Sequence, residues 1–547
     1  MKKIFLYCLP FCLLFASCSD LLDEESYSET GKGNYLNNAK EAETVLQGVY
    51  KNLANEYTYS YHLSLLFTIS TDIAQCEGNS TNSFREIPTN SHNASTSQIA
   101  RTWQQLYSAI YDANDFIETV SDRMDGWGSS DRELAAIYLG EARALRALFY
   151  FELVRWYGNV VLMTSTADSR KKDEDYEQSA AEDVYAYIEE DLKYAAEVLP
   201  WAVDDTKRTS NAYRFSKGAA LGLLAKVYCT WAGYPVRDES KWAEAEKVAR
   251  RVVESGKHRL ISDYETVWKN TCNGIWDAGE SLIEVSFYSP TGLDSDNTAG
   301  RIGKWNGVSA TTIDGERGRN AANWKVVYTF TRDWEAQNDP RMKLSIADYK
   351  YDHTLGSGPI PYFSTISSAN PSEDQKNRQR QLFTPGKWDT EKYVETSNYI
   401  VNNDKSNVNW YILRYSDVLL LFAEALNESG GSIVDAVDAV NAVRRRGFGD
   451  TKHDLSYGLS REDLREAIRK ERAYELCFEG HRKQDLIRWG IYYDRVMETA
   501  QELVNWYSNA NYAVARYIIK GRHELLPIPQ RDLDMMPKCK QNSGWGQ

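Results

Sequence analysis

Apolar residues in the first half of this chain recur every three or four positions, segment after segment, a period that suits packed helices and little else. Ala42, Val45, Leu46, Val49, Tyr50 and Leu53 form one stripe, and Ile99, Trp103, Leu106, Ile110, Ala113, Ile117 and Val120 form a longer one. A third runs through Leu134, Tyr138, Ala142, Leu145, Phe149 and Trp156, behind an N-cap signal at Ser130 or Asp131. Val184, Ile188, Leu192, Ala195 and Leu199 make a fourth, stopped by Pro200. Ser216 opens a helix through Trp231 that Gly233 and Pro235 end, and Trp242 to Val253 reads as its antiparallel partner, closed by Gly256. Each helix has one face to hide, and helices of about 15–25 residues joined by short polar turns hide it by stacking as tetratricopeptide-like hairpins. Trp103-x-x-Leu106 has the opening spacing of that repeat, but the strict consensus is absent. The expected fold is mostly α, an irregular tetratricopeptide-like helical-repeat body.

Between Lys257 and Tyr411 the period is lost. Glycines at 274, 279, 292, 300, 303, 307, 315 and 318 punctuate this stretch, and Ser281 to Ser286 reads as its strand. The expectation is a loop-rich insertion over 257–410, carrying short strands, between hairpins at 38–256 and 411–490. A loop this long inside a folded body usually has a function. Helix returns at Tyr411–Ser429, Ile433–Arg446 and Arg461–Gly490, and Leu526-Pro527-Ile528-Pro529 is a rigid extended exit.

The N-terminus addresses the chain. Lys2 and Lys3 precede an apolar run from Ile4 to Phe15, too short for a permanent membrane span, as in a secretory signal peptide. Ala16-Ser17-Cys18 resembles the lipobox of bacterial lipoproteins, with Phe15 departing from the usual Leu or Val; the alternative is a plain secreted protein in which Cys18 is incidental. The organisation expected is a signal peptide at 1–17, a lipid anchor at Cys18 with an acidic tether to 37, and one body from 38 to 547, because two or three acyl chains hold a soluble domain on a membrane. The longest later apolar run, Val418 to Ala423, is far too short to span one. A net charge of −14 argues against nucleic acid or anionic lipid as the main partner and suits a neutral ligand.

Cys76, Cys229, Cys272, Cys477 and Cys539 include no Cys-x-x-Cys and no close histidine, so no zinc is expected; the spacing allows a Cys76–Cys272 disulfide without showing it. No EF-hand series points to Ca²⁺. Metalloprotease, nucleophile-elbow and phosphate-loop signatures are missing, and neither catalysis nor a cofactor is expected. Glu471, Glu475 and Glu479 recur every fourth residue with Arg472, Arg482 and His481 nearby. They read as a buried ion-pair network rather than an acid–base centre, because planar guanidinium forks suit carboxylates in that role.

The positive signal is aromatic: Trp, Tyr and Phe make up 12% of the chain, and those in loops lack a regular face on which to hide. The insertion carries Trp268, Trp276, Tyr288, Trp305 and Trp324. Sugar rings present flat C–H patches beside hydroxyls, so an exposed aromatic face with a few fixed polar partners can hold them. Trp305-Asn306 with Arg301, and Trp276-Asp277, offer both parts side by side, and the loop from 72 to 85 adds Asp72, Asn79, Asn82 and Arg85. Gly303 and Gly307 are expected to leave Trp305 room to project, while Trp324, beside a helix starting near Lys325, serves equally as a packing residue.

Several strings in fixed order resemble the SusD/RagB family of outer-membrane nutrient-binding lipoproteins. They are Glu141–Ala147 through Arg155-Trp156-Tyr157-Gly158, Asn338-Asp339-Pro340-Arg341, Leu413–Asn427, Asn441–Arg446, Arg469–Arg482 with Asp485–Gly490, and Leu525–Pro529. The resemblance implies a lipid-anchored, outer-membrane, cell-surface protein of a Gram-negative bacterium. It would capture an oligo- or polysaccharide and hand it to a SusC-like TonB-dependent transporter. It also implies that loops from the early repeats and from the insertion meet at the ligand, and that the Arg469–Arg488 motif is a fold signature. The alternatives are a peptide-capturing RagB-like lipoprotein and a surface glycoside hydrolase.

Overall fold

The computed structural model describes residues 35–78, 80–81, 83–289, 298–313 and 315–546. The expected signal peptide, the expected lipidation site Cys18, most of the expected tether, and Asn79 and Asn82 lie outside these residues.

The six helical stripes fold as helices α1 (Ala39–Lys51), α2 (Ser97–Arg123), α3 (Ser129–Tyr157), α4 (Ala181–Val198), α5 (Lys217–Trp231) and α6 (Lys241–Val253). Their starts follow local chemistry: the Asn38 side chain accepts from the Glu41 amide, and Ser216 from the Ala219 amide. Each helix from α2 packs on the next, with α1 laid against α2 and α3, and the stripe residues meet in one continuous core. The fold is mostly α, as the periodicity predicts.

The insertion holds α7 (Tyr264–Cys272), α8 (Tyr328–Glu335), α9 (Arg341–Ser345), α10 (Glu373–Arg380) and α11 (Thr390–Tyr393). Strands β1 (Ala74–Cys76), β2 (Val160–Val161), β3 (Gln178–Ser179), β4 (Ser281–Val285), β5 (Trp324–Val326), β6 (Ile346–Ala347), β7 (Tyr349–Tyr351), β8 (Pro359–Pro361), β9 (Thr384–Pro385) and β10 (Trp410–Arg414) form antiparallel pairs: β1–β5, β2–β3, β4–β10, β6–β9 and β7–β8. After the insertion come α12 (Tyr415–Ser429), α13 (Ile433–Phe448), α14 (Arg461–Glu475), α15 (Arg482–Arg488), α16 (Tyr492–Trp506) and α17 (Gln530–Met535). Helix α12 packs directly on α6, so the helical stack resumes where it left off despite the intervening chain.

Four expectations need correction. Residues 411–414 are strand, not helix: Trp410 pairs with Val285 and Arg414 with Ser281, and these five residues are buried on both faces as an inner strand is. Lys325 lies in β5, and the following helix begins at Tyr328. The segment 461–490 is broken between α14 and α15, where Phe478 and Gly480 both take positive φ. Cys76 and Cys272 are free, buried thiols and form no disulfide.

The charged motif is an ion-pair lattice. Arg414 donates to Glu475 at 2.5 Å, to Glu479 at 2.7 Å and to Glu280 at 3.1 Å. Arg341 reaches Glu471 at 2.7 Å and Glu475 at 2.9 Å, and Arg472 joins Asp417 and Asp485. These charges are buried. Burial pushes the Glu475 carboxyl up, yet Arg446, Arg414 and Arg341 together hold it far below the carboxylate range. Burial likewise lowers His481 to about 3, so it is neutral.

Candidate functional site: an arginine-capped aromatic row

The β1–β5 ladder, with Cys76 opposite Trp324, lays the loop after β1 beside the loop before β5. Trp324 donates its backbone N–H to the Trp305 carbonyl at 3.0 Å, which fixes the second loop to the sheet edge. The half-buried Trp305 ring then stands between Tyr61 and Phe84, with centroids 5.0 Å away on each side. The row continues from Tyr61 to His62 at 5.5 Å and from His62 to Tyr57 at 5.2 Å.

Three guanidinium groups lie over this row. Arg85 is 4.5 Å from the Phe84 centroid, Arg301 is 4.8 Å from Tyr61 and 5.3 Å from Trp305, and Arg101 is 5.3 Å from Tyr57. Arg301 is held by Glu56 at 2.8 Å, and the Arg85 Nε donates to the Glu77 carbonyl at 2.8 Å. Two donors in the row, Trp305 Nε1 and Arg301 Nε, are buried without a protein acceptor. Burial lowers the His62 pKa to about 3, with Arg301 and Arg101 acting in the same direction, so this ring is a neutral spacer. Aromatic faces, fixed guanidinium donors and the Glu56 carboxylate can hold a flat polyol without charge transfer or bond breaking.

The flanking glycines act differently from expectation. A Cβ at Gly303, where φ is +78°, would meet Thr390 Cγ2 at 2.5 Å; one at Gly307 would meet the Gly303 and Trp388 carbonyl oxygens at 2.3 and 2.4 Å. They let the loop lie flat on the 386–390 segment, so the Trp305 loop is braced and does not project freely.

The structure separates the remaining residues named from sequence. Trp324 is buried in β5 and Asn306 is fully buried, its Oδ1 accepting from the Gly303 amide; both brace the loop from within. Asp72 is also buried, in a bidentate pair with Arg482 and a further bond to Arg495, so it faces the helices rather than solvent. Trp268 lies in the core against Trp388. Trp276 and Tyr288 belong to another place, around Tyr213: Trp276 is half-buried with its ring 6.2 Å from Tyr213, while Tyr288 is 67% exposed. The structure thus unites Trp305, Arg301 and Arg85 and adds Phe84, Tyr57 and Arg101, which the sequence reading passed over. The run Tyr57-Thr58-Tyr59-Ser60-Tyr61 was the available signal. Among the described residues no cluster of metal-binding side chains occurs and no helix is long and apolar enough to cross a membrane.

This geometry sits in a recognisable lineage. Residues 294–545 match the model of the SusD family, and residues 20–229 match a model described as starch-binding associating with outer membrane. The crystal structure of a SusD homologue from Bacteroides thetaiotaomicron VPI-5482 is 54% identical in sequence, spans 95% of this chain and 100% of its own, and superposes with a TM-score of 0.90. A laminarin-binding SusD-like protein, 22% identical over 93% of this chain and 100% of its own, shares the fold with a TM-score of 0.68. SusD-like protein P25 of Formosa agariphila is 24% identical over 95% of this chain and 94% of its own. The chain belongs to the SusD/RagB family.

Proposed function

We propose that this protein is a cell-surface lipoprotein, anchored through Cys18, that captures an oligo- or polysaccharide and delivers it to a SusC-like TonB-dependent transporter in the outer membrane. The observation that carries this reading is the row of Tyr57, Tyr61, Trp305 and Phe84 with Arg101, Arg301 and Arg85 above it. Rings supply shallow stacking and the guanidinium groups supply hydroxyl partners, a combination that grips a sugar chain and still releases it. The starch-binding description of the matched family and the laminarin named for a relative point to the same class of cargo. Mooring at the pore mouth raises local ligand concentration, so modest affinity suffices.

The test is binding of a panel of plant and host glycans to the protein lacking residues 1–18, by affinity electrophoresis and calorimetry. At least one glycan is expected to bind, with Trp305→Ala weakening it about tenfold, the worth of one aromatic stack. Absence of binding across the panel sinks the reading; unchanged binding in the variant removes the Trp305 row from it.

A further inference from the structure

A second concave surface lies between the C-terminal end of α1, the loop at 210–214 and the far end of β4. Its volume is about 420 Å³, within the range of small-ligand sites. We infer that it is a distinct carbohydrate subsite that takes one uncharged sugar ring, the end or a side branch of a chain, between Tyr50, Tyr213 and Tyr288 with the Glu284 carboxyl at its wall. This rests on the reading of the protein as a glycan binder and adds where a terminal unit goes.

The walls are aromatic. Tyr288 is exposed at the rim, and Tyr213 is held in the left-handed region at φ +61° with its hydroxyl bonded to the Gly274 carbonyl. A tyrosine kept in that backbone conformation is one whose ring position is imposed by its surroundings.

The polar wall mixes signs: Arg214 and the exposed Lys51 share it with Glu43 and Glu284. Arg214 spends its donors on Glu43 at 2.5 Å and on both oxygens of Glu141 at 2.8 Å, so it offers no free fork to an anion. An amine would have to compete with that same arginine for Glu43. Glu284 is 3% exposed, and its two oxygens accept from Asn409 at 2.8 Å and Ser281 at 2.7 Å, leaving a lone pair on each. Burial pushes this carboxyl up to about 7 against those hydrogen bonds, so near neutrality it both donates and accepts. A sugar hydroxyl has the same double character. Ala54 lines this pocket and Tyr57 begins the aromatic row, so their backbones are at most about 11 Å apart. One chain can lie on the row and turn its end into the pocket.

The experiment uses saturation-transfer NMR on the exported protein with methyl glycosides of glucose, galactose, mannose and xylose at millimolar concentration. At least one glycoside is expected to give transfer to its ring C–H protons. Tyr288→Ala, an exposed position that leaves the fold intact, and Tyr213→Phe/Tyr288→Ala are expected to reduce that signal at least fivefold, and by more than Trp305→Ala does. No transfer to any glycoside, or transfer abolished by Trp305→Ala and kept in Tyr288→Ala, overturns the pocket. Long-chain binding measured in parallel separates the outcomes: its survival with no glycoside transfer rejects the subsite alone, and its loss rejects the glycan reading.

Discussion

The buried lattice around Arg414 and the aromatic row around Trp305 are built from the same residue type, arginine, put to opposite uses. In the lattice the guanidinium groups of Arg414 on β10 and Arg341 on α9 are sealed from water and matched by carboxylates on α14, in the turn after it and just before β4. In the row each guanidinium lies over an aromatic ring, half-buried at Phe84 and Tyr57 and buried at Tyr61, with one or two polar contacts. The lattice therefore determines whether the chain folds, and the row determines what the folded chain can hold. The substitutions below separate the two.

Arg414→Met should have the largest effect. It strands Glu475, Glu479 and Glu280 without their main partner, and breaking a buried pair from one side costs about 3–5 kcal/mol. Urea unfolding should show that loss, while glycan affinity of the folded fraction stays at the parent value.

Acid and base should act with opposite sign on the lattice and on Glu284 in the second pocket. Glu475 and Glu479 are held below their ordinary value of 4.5, so their stabilisation is present above that pH and is lost as pH falls through the folded values. Glu284 is raised to about 7, so its contribution is full below 4.5 and is lost as pH rises toward and past 7. Unfolding free energy of Glu284→Gln should consequently exceed that of the parent at pH 8 by up to about 3 kcal/mol, and the gain should vanish by pH 4.

Trp305→Ala should cost about 2 kcal/mol of stability, since the ring is only half-buried, together with the loss of glycan binding described above. A melting curve beside the binding isotherm checks both. At the small end, Lys520→Ala breaks a solvent-exposed pair with Asp494 and should leave the melting curve unchanged.

The same contrast explains what could be read before the structure was known. The helices of the repeat body were legible because each must bury a stripe, and a stripe leaves a period in the sequence. The lattice was legible too: Glu471, Glu475 and Glu479 share one helical spacing next to arginines. Strand β10 was missed because Trp-Tyr-Ile-Leu-Arg runs into the apolar start of α12 with no break, and its pairing with β4 joins residues remote in sequence. Helix α16 was missed as well, since Gly490 reads as the end of the helical region. In the candidate site the sequence showed Trp305, Arg301 and Arg85 but not what surrounds them. Neighbours brought together by loops have no period, so Phe84 carried no mark and Tyr57 only that of its alternating tyrosine run. Asp72 and Asn306 resembled ligand contacts because a polar residue in a loop looks the same whether it faces water or anchors the loop from inside.

Asp72 has a consequence of its own. It stands two residues before β1, whose pairing with β5 aligns the Phe84 and Trp305 loops, and it is gripped from behind by Arg482 and Arg495 in the last helices. The loops of the aromatic row are therefore moored to the final quarter of the chain by the Asp72 carboxylate, with Tyr492 and Tyr512 donating to the Ser70 and Thr71 carbonyls beside it. Damage at either arginine would slacken the Trp305 row from the rear without touching any of its rings.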